Sequence, residues 1–117
     1  RNGIVYGNKQ DENELEIGRV KDTLVGFDWK FENSLLKLKN EEINPENSSH
    51  FNTMIFNKDP LFVDVFNQSY GLKSESPARN SGNPDFVNSF PPIPTDLLGN
   101  NRLSDQMPDM GAIEYIP

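Results

Sequence analysis

Three short stretches of the chain share one order of polar and apolar positions. They read Asn2-Gly3-Ile4-Val5-Tyr6, Asn33-Ser34-Leu35-Leu36-Lys37 and Asn52-Thr53-Met54-Ile55-Phe56. In each, an Asn and a small residue precede two aliphatic residues. The Asn residues lie 31 and 19 positions apart. One such strand cannot bury its apolar face alone, whereas copies stacked at intervals of roughly 20–50 residues can, so the pattern predicts a repeat architecture.

Between the repeats the pattern is mostly polar. Residues 2–6 read as a buried strand ended by the turn pair Gly7-Asn8. Residues 9–16 are polar and acidic, which predicts an exposed loop. Residues 15–25 carry an imperfect helical stripe of Leu15, Ile17, Val20 and Leu24. Phe27-Asp28-Trp29-Lys30-Phe31 alternates strictly, the period of a strand with one buried face, so all three rings should share a face. Residues 39–49 are polar again, with Pro45 as a breaker. The unequal spacing of the repeats predicts a long loop within residues 9–26 of the first unit, where binding residues tend to gather.

Beyond Asp64 the pattern changes. Pro77, Pro84, Pro91, Pro92, Pro94 and Pro108 punctuate this tail together with Gly71, Gly82, Gly99 and Gly111, a spacing that breaks long helices and strands. The tail keeps Phe62, Phe66, Tyr70, Leu72, Met110 and Tyr115 among its apolar residues, and so reads as an ordered irregular layer. A stack of strands ends in an open apolar layer with unpaired backbone groups, and such a tail suits a terminal cap. The repeated Asn fits either an amide ladder between stacked units or local turn capping.

Composition narrows the partners. The chain has 117 residues, enough for one domain, with 34% hydrophobic residues and 12 aromatics (8 Phe, 3 Tyr and 1 Trp). Its net charge of −7 and the absence of a basic stripe argue against nucleic acid as a partner. An acidic polysaccharide would need a local Lys/Arg cluster or a bridging cation. With no cysteine, disulfides and Cys-ligated zinc are excluded. No apolar run reaches the roughly 18 residues of a membrane-spanning helix. Arg1 leads directly into a strand-like run with no initiating Met, which predicts a fragment of a longer chain.

The tail also resembles a known family. Asp59-Pro60-Leu61-Phe62-Val63, Tyr70-Gly71-Leu72-Lys73, Ser76-Pro77-Ala78, Gly82, Asp96-Leu97-Leu98-Gly99-Asn100-Asn101-Arg102 and Asp109-Met110-Gly111-Ala112-Ile113-Glu114-Tyr115 follow one another. This succession is similar to the C-terminal end of right-handed parallel β-helix proteins of the pectate-lyase-like superfamily. It is especially similar to the choice-of-anchor Q type tail, frequent in secreted and surface proteins of Bacteroidetes-like bacteria. Phe31-Glu32-Asn33-Ser34-Leu35-Leu36-Lys37 and Phe51-Asn52-Thr53-Met54-Ile55-Phe56-Asn57 resemble the last coils of that group. The chain departs where Ser76-Pro77-Ala78 runs on as Arg79-Asn80-Ser81, since family members often carry an acidic residue there; no role tied to that position is carried over. The segment between Gly82 and Asp96 is also an insertion rich in Pro and Phe.

The candidate chemistry is sparse. Asp96, Arg102, Asp109 and Glu114 form the most suggestive polar set. It reads as a structural cluster, with Asp96 capping a turn, Gly99 at positive φ and Arg102 forking onto Asp109 or Glu114. The competing reading is a calcium or sugar site, though the dense acidic loop that calcium favours is missing. His50 is the sole His and is expected in an exposed loop; no hydrolase triad or multi-His metal site is available. Asp59 and Asp64 should end the short strand between them. Trp29, Tyr6 and Tyr70 are the candidate sugar-stacking residues, weighed against burial of Trp29 in a core with Phe27 and Phe31. Asn47-Ser48-Ser49 and Asn67-Gln68-Ser69 match the N-glycosylation pattern, and Asp22-Thr23-Leu24 a bacterial O-glycosylation pattern.

The pattern predicts an all-β repeat closed by an irregular cap; the resemblance implies that residues 1–63 are terminal coils of a right-handed parallel β-helix and residues 64–117 the cap of the same unit. The resemblance implies a non-catalytic C-terminal capping segment of a secreted, periplasmic or surface protein whose parent binds or degrades polysaccharide. No catalytic residue is assigned; the resemblance implies that any catalytic cluster lies on central coils upstream. A carbohydrate-binding module, or part of a polysaccharide lyase or hydrolase, is the alternative. Self-association through an exposed coil end is expected.

Overall fold

The computed structural model describes residues 1–7, 15, 17, 28–39, 43–89 and 91–117. The loop expected at 9–16, the longer insertion expected within 9–26 and the imperfect helical stripe at 15–25 fall almost wholly outside these residues, and Phe27 and the Asp22-Thr23-Leu24 motif wholly so. The described structure is all-β, with small sheets of mixed pairing and one short helix.

Each apolar pair of the repeat forms a short strand: β1 (Ile4–Val5), β3 (Leu35–Leu36) and β5 (Ile55–Phe56), with β2 (Phe31–Glu32) and β4 (Phe51–Asn52) preceding the second and third. The strands β1, β3 and β5 pair in parallel, in that order. Ile4, Leu35 and Ile55 lie in one row, and Val5, Leu36 and Phe56 in the next. A second parallel pair joins β2 to β4, with Phe31 beside Phe51.

This register corrects the repeat. Counting back from the aligned aliphatics, the corner position holds Asn2, Asn33 and Thr53, not Asn52. All three corners have positive φ, at 49°, 46° and 52°. Asn reaches that left-handed region more readily than other side chains, whereas β-branched Thr is strained there. The repeated Asn therefore serves the bend. No amide ladder runs through the row, because the third position carries no amide and the Asn2 amide bonds to Asn83 of the tail.

The central sheet is covered on both faces because neighbouring side chains of a strand point to opposite sides. Val5, Leu36 and Phe56 face Leu38, Phe51, Trp29, Phe31 and Met54. Ile4, Leu35 and Ile55 face Leu72, Ala78 and Met110, with Tyr6 and Phe62. Leu35 and Leu36 are both 0% exposed, so the middle strand is sealed from either side. The tail thus packs against the outer face of the central sheet and shares one core with residues 1–63.

An antiparallel hairpin, β6 (Phe62–Asp64) and β7 (Ser69–Leu72), spans the junction between residues 1–63 and the tail. Asp59 and Asp64 act in its turns: Asp59 accepts from the Leu61 N–H at 2.8 Å, and Asp64 from both nitrogens of Asn67. The buried Ser76 hydroxyl donates to the Pro60 carbonyl at 2.6 Å and accepts from the Ala78 N–H at 3.1 Å, which seats Ala78 in the core. Helix α1 (Pro84–Asn88) is capped by Asn83, whose side chain accepts from the Asp85 N–H. No helix among the described residues is long and apolar enough to cross a membrane.

Candidate functional site

The predicted polar set comes together, and its geometry is that of a fastener. Asp96 Oδ1 accepts from the N–H groups of Leu98 and Asn100, both at 2.8 Å. Its Oδ2 accepts from the Asn100 side chain at 2.9 Å and the Glu114 N–H at 2.8 Å. Asp109 accepts from the Asn80 N–H at 2.7 Å and the Tyr115 N–H at 2.6 Å. Glu114 accepts from Arg102 at 2.7 Å and from the Asp109 N–H at 2.9 Å. Arg102 also donates to the Gly111 carbonyl at 3.1 Å. Of the two partners expected for Arg102, the structure selects Glu114.

These bonds stitch residues 78–82, 95–102 and 108–115 together where regular strands are absent. Carboxylates suit this role because each offers several acceptor positions to irregularly placed N–H donors. Asp96, Asp109 and Glu114 are all buried. Burial opposes ionisation of Asp96, yet the Asn100 side chain and three backbone N–H groups outweigh it and hold the carboxyl below its ordinary range. Burial pushes Glu114 up to about 7, with the Asp109 N–H and Arg102 pulling against it and the charges of Asp109 and Asp96 adding to it. Every oxygen of the cluster thus faces the chain's own donors. Among the described residues, no group of three or more His, Asp and Glu is arranged to hold a metal ion.

The three candidate sugar-stacking residues separate. Trp29 is half-buried and packs with Phe31 against the buried cluster of Leu36, Leu38 and Phe51, and its ring stacks on His50 at 3.9 Å and 9°. His50 is half-buried rather than in an exposed loop, and its Nδ1 lies 3.0 Å from the Trp29 carbonyl. Tyr6 and Tyr70, by contrast, line one open groove of about 1160 Å³ between the outer face of the central sheet and the hairpin. Lys37, Lys39, Asp59, Phe62, Phe66, Gln68 and Lys73 complete much of its wall. Lys37 is buried, donates to the Gly7 carbonyl at 3.0 Å and lies 5.4 Å from the Tyr6 ring centre. Tyr70 is half-exposed and meets Phe62 edge-on at 5.5 Å. Phe66, at the turn of the hairpin, is 100% exposed.

The lysines are not among the candidates that the sequence singles out. The strand period nonetheless places Lys37, since it stands two residues after Leu35 and so shares its face, as Tyr6 does with Ile4. Lys73 and Phe66 carried no local signal. Comparison with protein-family models, curated proteins and solved structures finds no match for the chain.

Proposed function

We propose that residues 1–63 are the last coils of a right-handed parallel β-helix and that residues 64–117 are the irregular layer that closes it. The role of the chain is then structural: a non-catalytic C-terminal segment of a secreted or surface protein whose parent handles polysaccharide. The observation that carries this reading is the aligned row Ile4, Leu35 and Ile55, in parallel pairing and covered by Leu72, Ala78 and Met110 of the tail. Removing the tail uncovers that row and its strand edges, which template association. Light scattering over a concentration series, on the full chain and on a chain ending at Asp64, tests this. The shortened chain is expected to associate; a folded, monomeric 1–64 chain would refute a closing role.

One observation supports a second reading, carbohydrate binding in the groove: Tyr6 and Tyr70 line the same open surface. Tyrosine rings can stack on sugar faces while their hydroxyls stay wet. Tyr70→Ala removes a half-exposed ring with little damage to the core. A glycan that perturbs Tyr6 and Tyr70 NMR signals in the wild type and is lost in Tyr70→Ala supports binding. Silence across neutral and acidic glycans removes this reading.

A further inference from the structure

Asn2 joins the first strand to the tail through its side chain. Its Oδ1 accepts from the Asn83 N–H at 2.8 Å, and its Nδ2 donates to the Asn83 carbonyl at 3.0 Å, across 81 positions of sequence. Its own carbonyl accepts from the Gly111 N–H at 2.8 Å. The side chain thereby imitates a strand partner for a segment that has none.

The residue after Asn2 is Gly3. Asn is chemically labile, and before Gly it is most exposed to attack by the next backbone nitrogen, because no side chain obstructs the approach. In the folded chain both reacting groups are held apart from this chemistry. The Gly3 N–H donates to the Ser34 hydroxyl at 3.2 Å, and the Asn2 amide is fixed at both ends by Asn83. The backbone at Asn2 is itself locked in the left-handed region, at φ 49°.

We propose that Asn2-Gly3 is a site of spontaneous covalent modification that the docked tail holds in check. When the segment around Asn83 lifts away, the Gly3 nitrogen attacks the Asn2 side-chain carbonyl carbon. A new C–N bond closes a cyclic imide, the Asn2 side-chain nitrogen leaves as ammonia, and the Gly3 N–H proton goes with it. Water then opens the ring to aspartate or iso-aspartate. Either product lacks the donor that reached the Asn83 carbonyl and sets a carboxylate against that oxygen. Iso-aspartate also lengthens the backbone ahead of Ile4 and shifts it from its row with Leu35. The modification is therefore one-way: a tail that has opened for long enough does not close again on the same strand.

Peptide mapping of the full chain by mass spectrometry tests this, with time points at mildly alkaline pH and body temperature. The readouts are the small mass gain of an amide-to-acid exchange at Asn2 and enzymatic detection of iso-aspartate. The reaction runs from the locally opened state, so the folded chain should modify at least about tenfold more slowly than the urea-unfolded chain. Ser34→Ala frees the Gly3 N–H, and Gly82→Ala crowds the dock, since an added Cβ there lies 3.2 Å from the Asn2 side-chain carbon. Both variants should speed modification, and Ser34→Ala keeps the test open if Gly82→Ala does not fold. Equal rates in the folded wild type and the unfolded chain, or no acceleration in a folded Ser34→Ala, overturn the proposal.

Discussion

Replacing Asp96 by Asn should destabilise the whole chain by at least about 3 kcal/mol. The aspartate satisfies four donors, two on each oxygen. An Asn side chain can keep its oxygen on the Leu98 and Asn100 N–H groups. Its NH₂ then meets two donors, the Asn100 amide and the Glu114 N–H. Two charge-assisted bonds are lost at about 1.5–3 kcal/mol each, and a buried N–H is left unpaired at about 1–3 kcal/mol. Part of that loss is offset, because the substitution also removes a charge that opposes ionised Glu114. The measurement is urea unfolding followed in parallel by far-UV circular dichroism and Trp29 fluorescence. Trp29 belongs to the cluster on the opposite face of the central sheet from the tail. If tail and strands form one cooperative unit, both probes shift together to lower urea with an unchanged slope. A shift below about 0.5 kcal/mol, the range of an ordinary surface substitution, would show that the carboxylate is not a fastener. A shift seen by one probe alone would show that the tail unfolds independently of the strands.

Other outcomes follow from the same geometry. Glu114 holds its proton up to about 7 in the fold, against 4.5 ordinarily, so its contribution is complete below 4.5 and lost as pH rises through 7. Asp96 works in the opposite direction, its contribution being lost as pH falls below its ordinary 3.8. Urea midpoints should therefore peak in mildly acidic buffer, and Glu114→Gln should flatten the fall toward neutral pH; an unchanged fall would assign it to another group. Gly82→Ala places a Cβ 2.8 Å from the Pro108 carbonyl oxygen, and should cost about 1–3 kcal/mol by overpacking, read as a lower melting temperature. Trp29→Ala should cost about 2–4 kcal/mol, toward the low end for such a truncation because the ring, packed against Phe31, Phe51 and His50, is only half-buried. It should leave any glycan binding in the groove unchanged, so loss of binding in a folded Trp29→Ala would move the site away from Tyr6 and Tyr70.

Much of the fold was written locally. The apolar pairs Ile4-Val5, Leu35-Leu36 and Ile55-Phe56 could be read as strands because burial on both faces leaves a short uninterrupted apolar run. Asp96 could be read as a turn cap from its spacing to Gly99, and the Pro- and Gly-broken tail as irregular but ordered from its retained aromatics. Tertiary structure decided the rest. Local likeness aligns Asn52 with Asn2 and Asn33, but the row of aliphatics sets the register and puts Thr53 there, because a one-residue slip would turn every side chain to the wrong face. His50 left its expected exposed loop because Trp29 offered a flat apolar partner. Tyr6 and Tyr70 meet in one groove only because the hairpin folds beside the outer face of the sheet. The bond between Asn2 and Asn83 has no trace in either neighbourhood. Periodicity records which side of its own strand a residue faces, a property fixed within a few bonds. Which distant segment covers that side depends on how separate apolar surfaces find the arrangement that buries them together, and that is settled only in three dimensions.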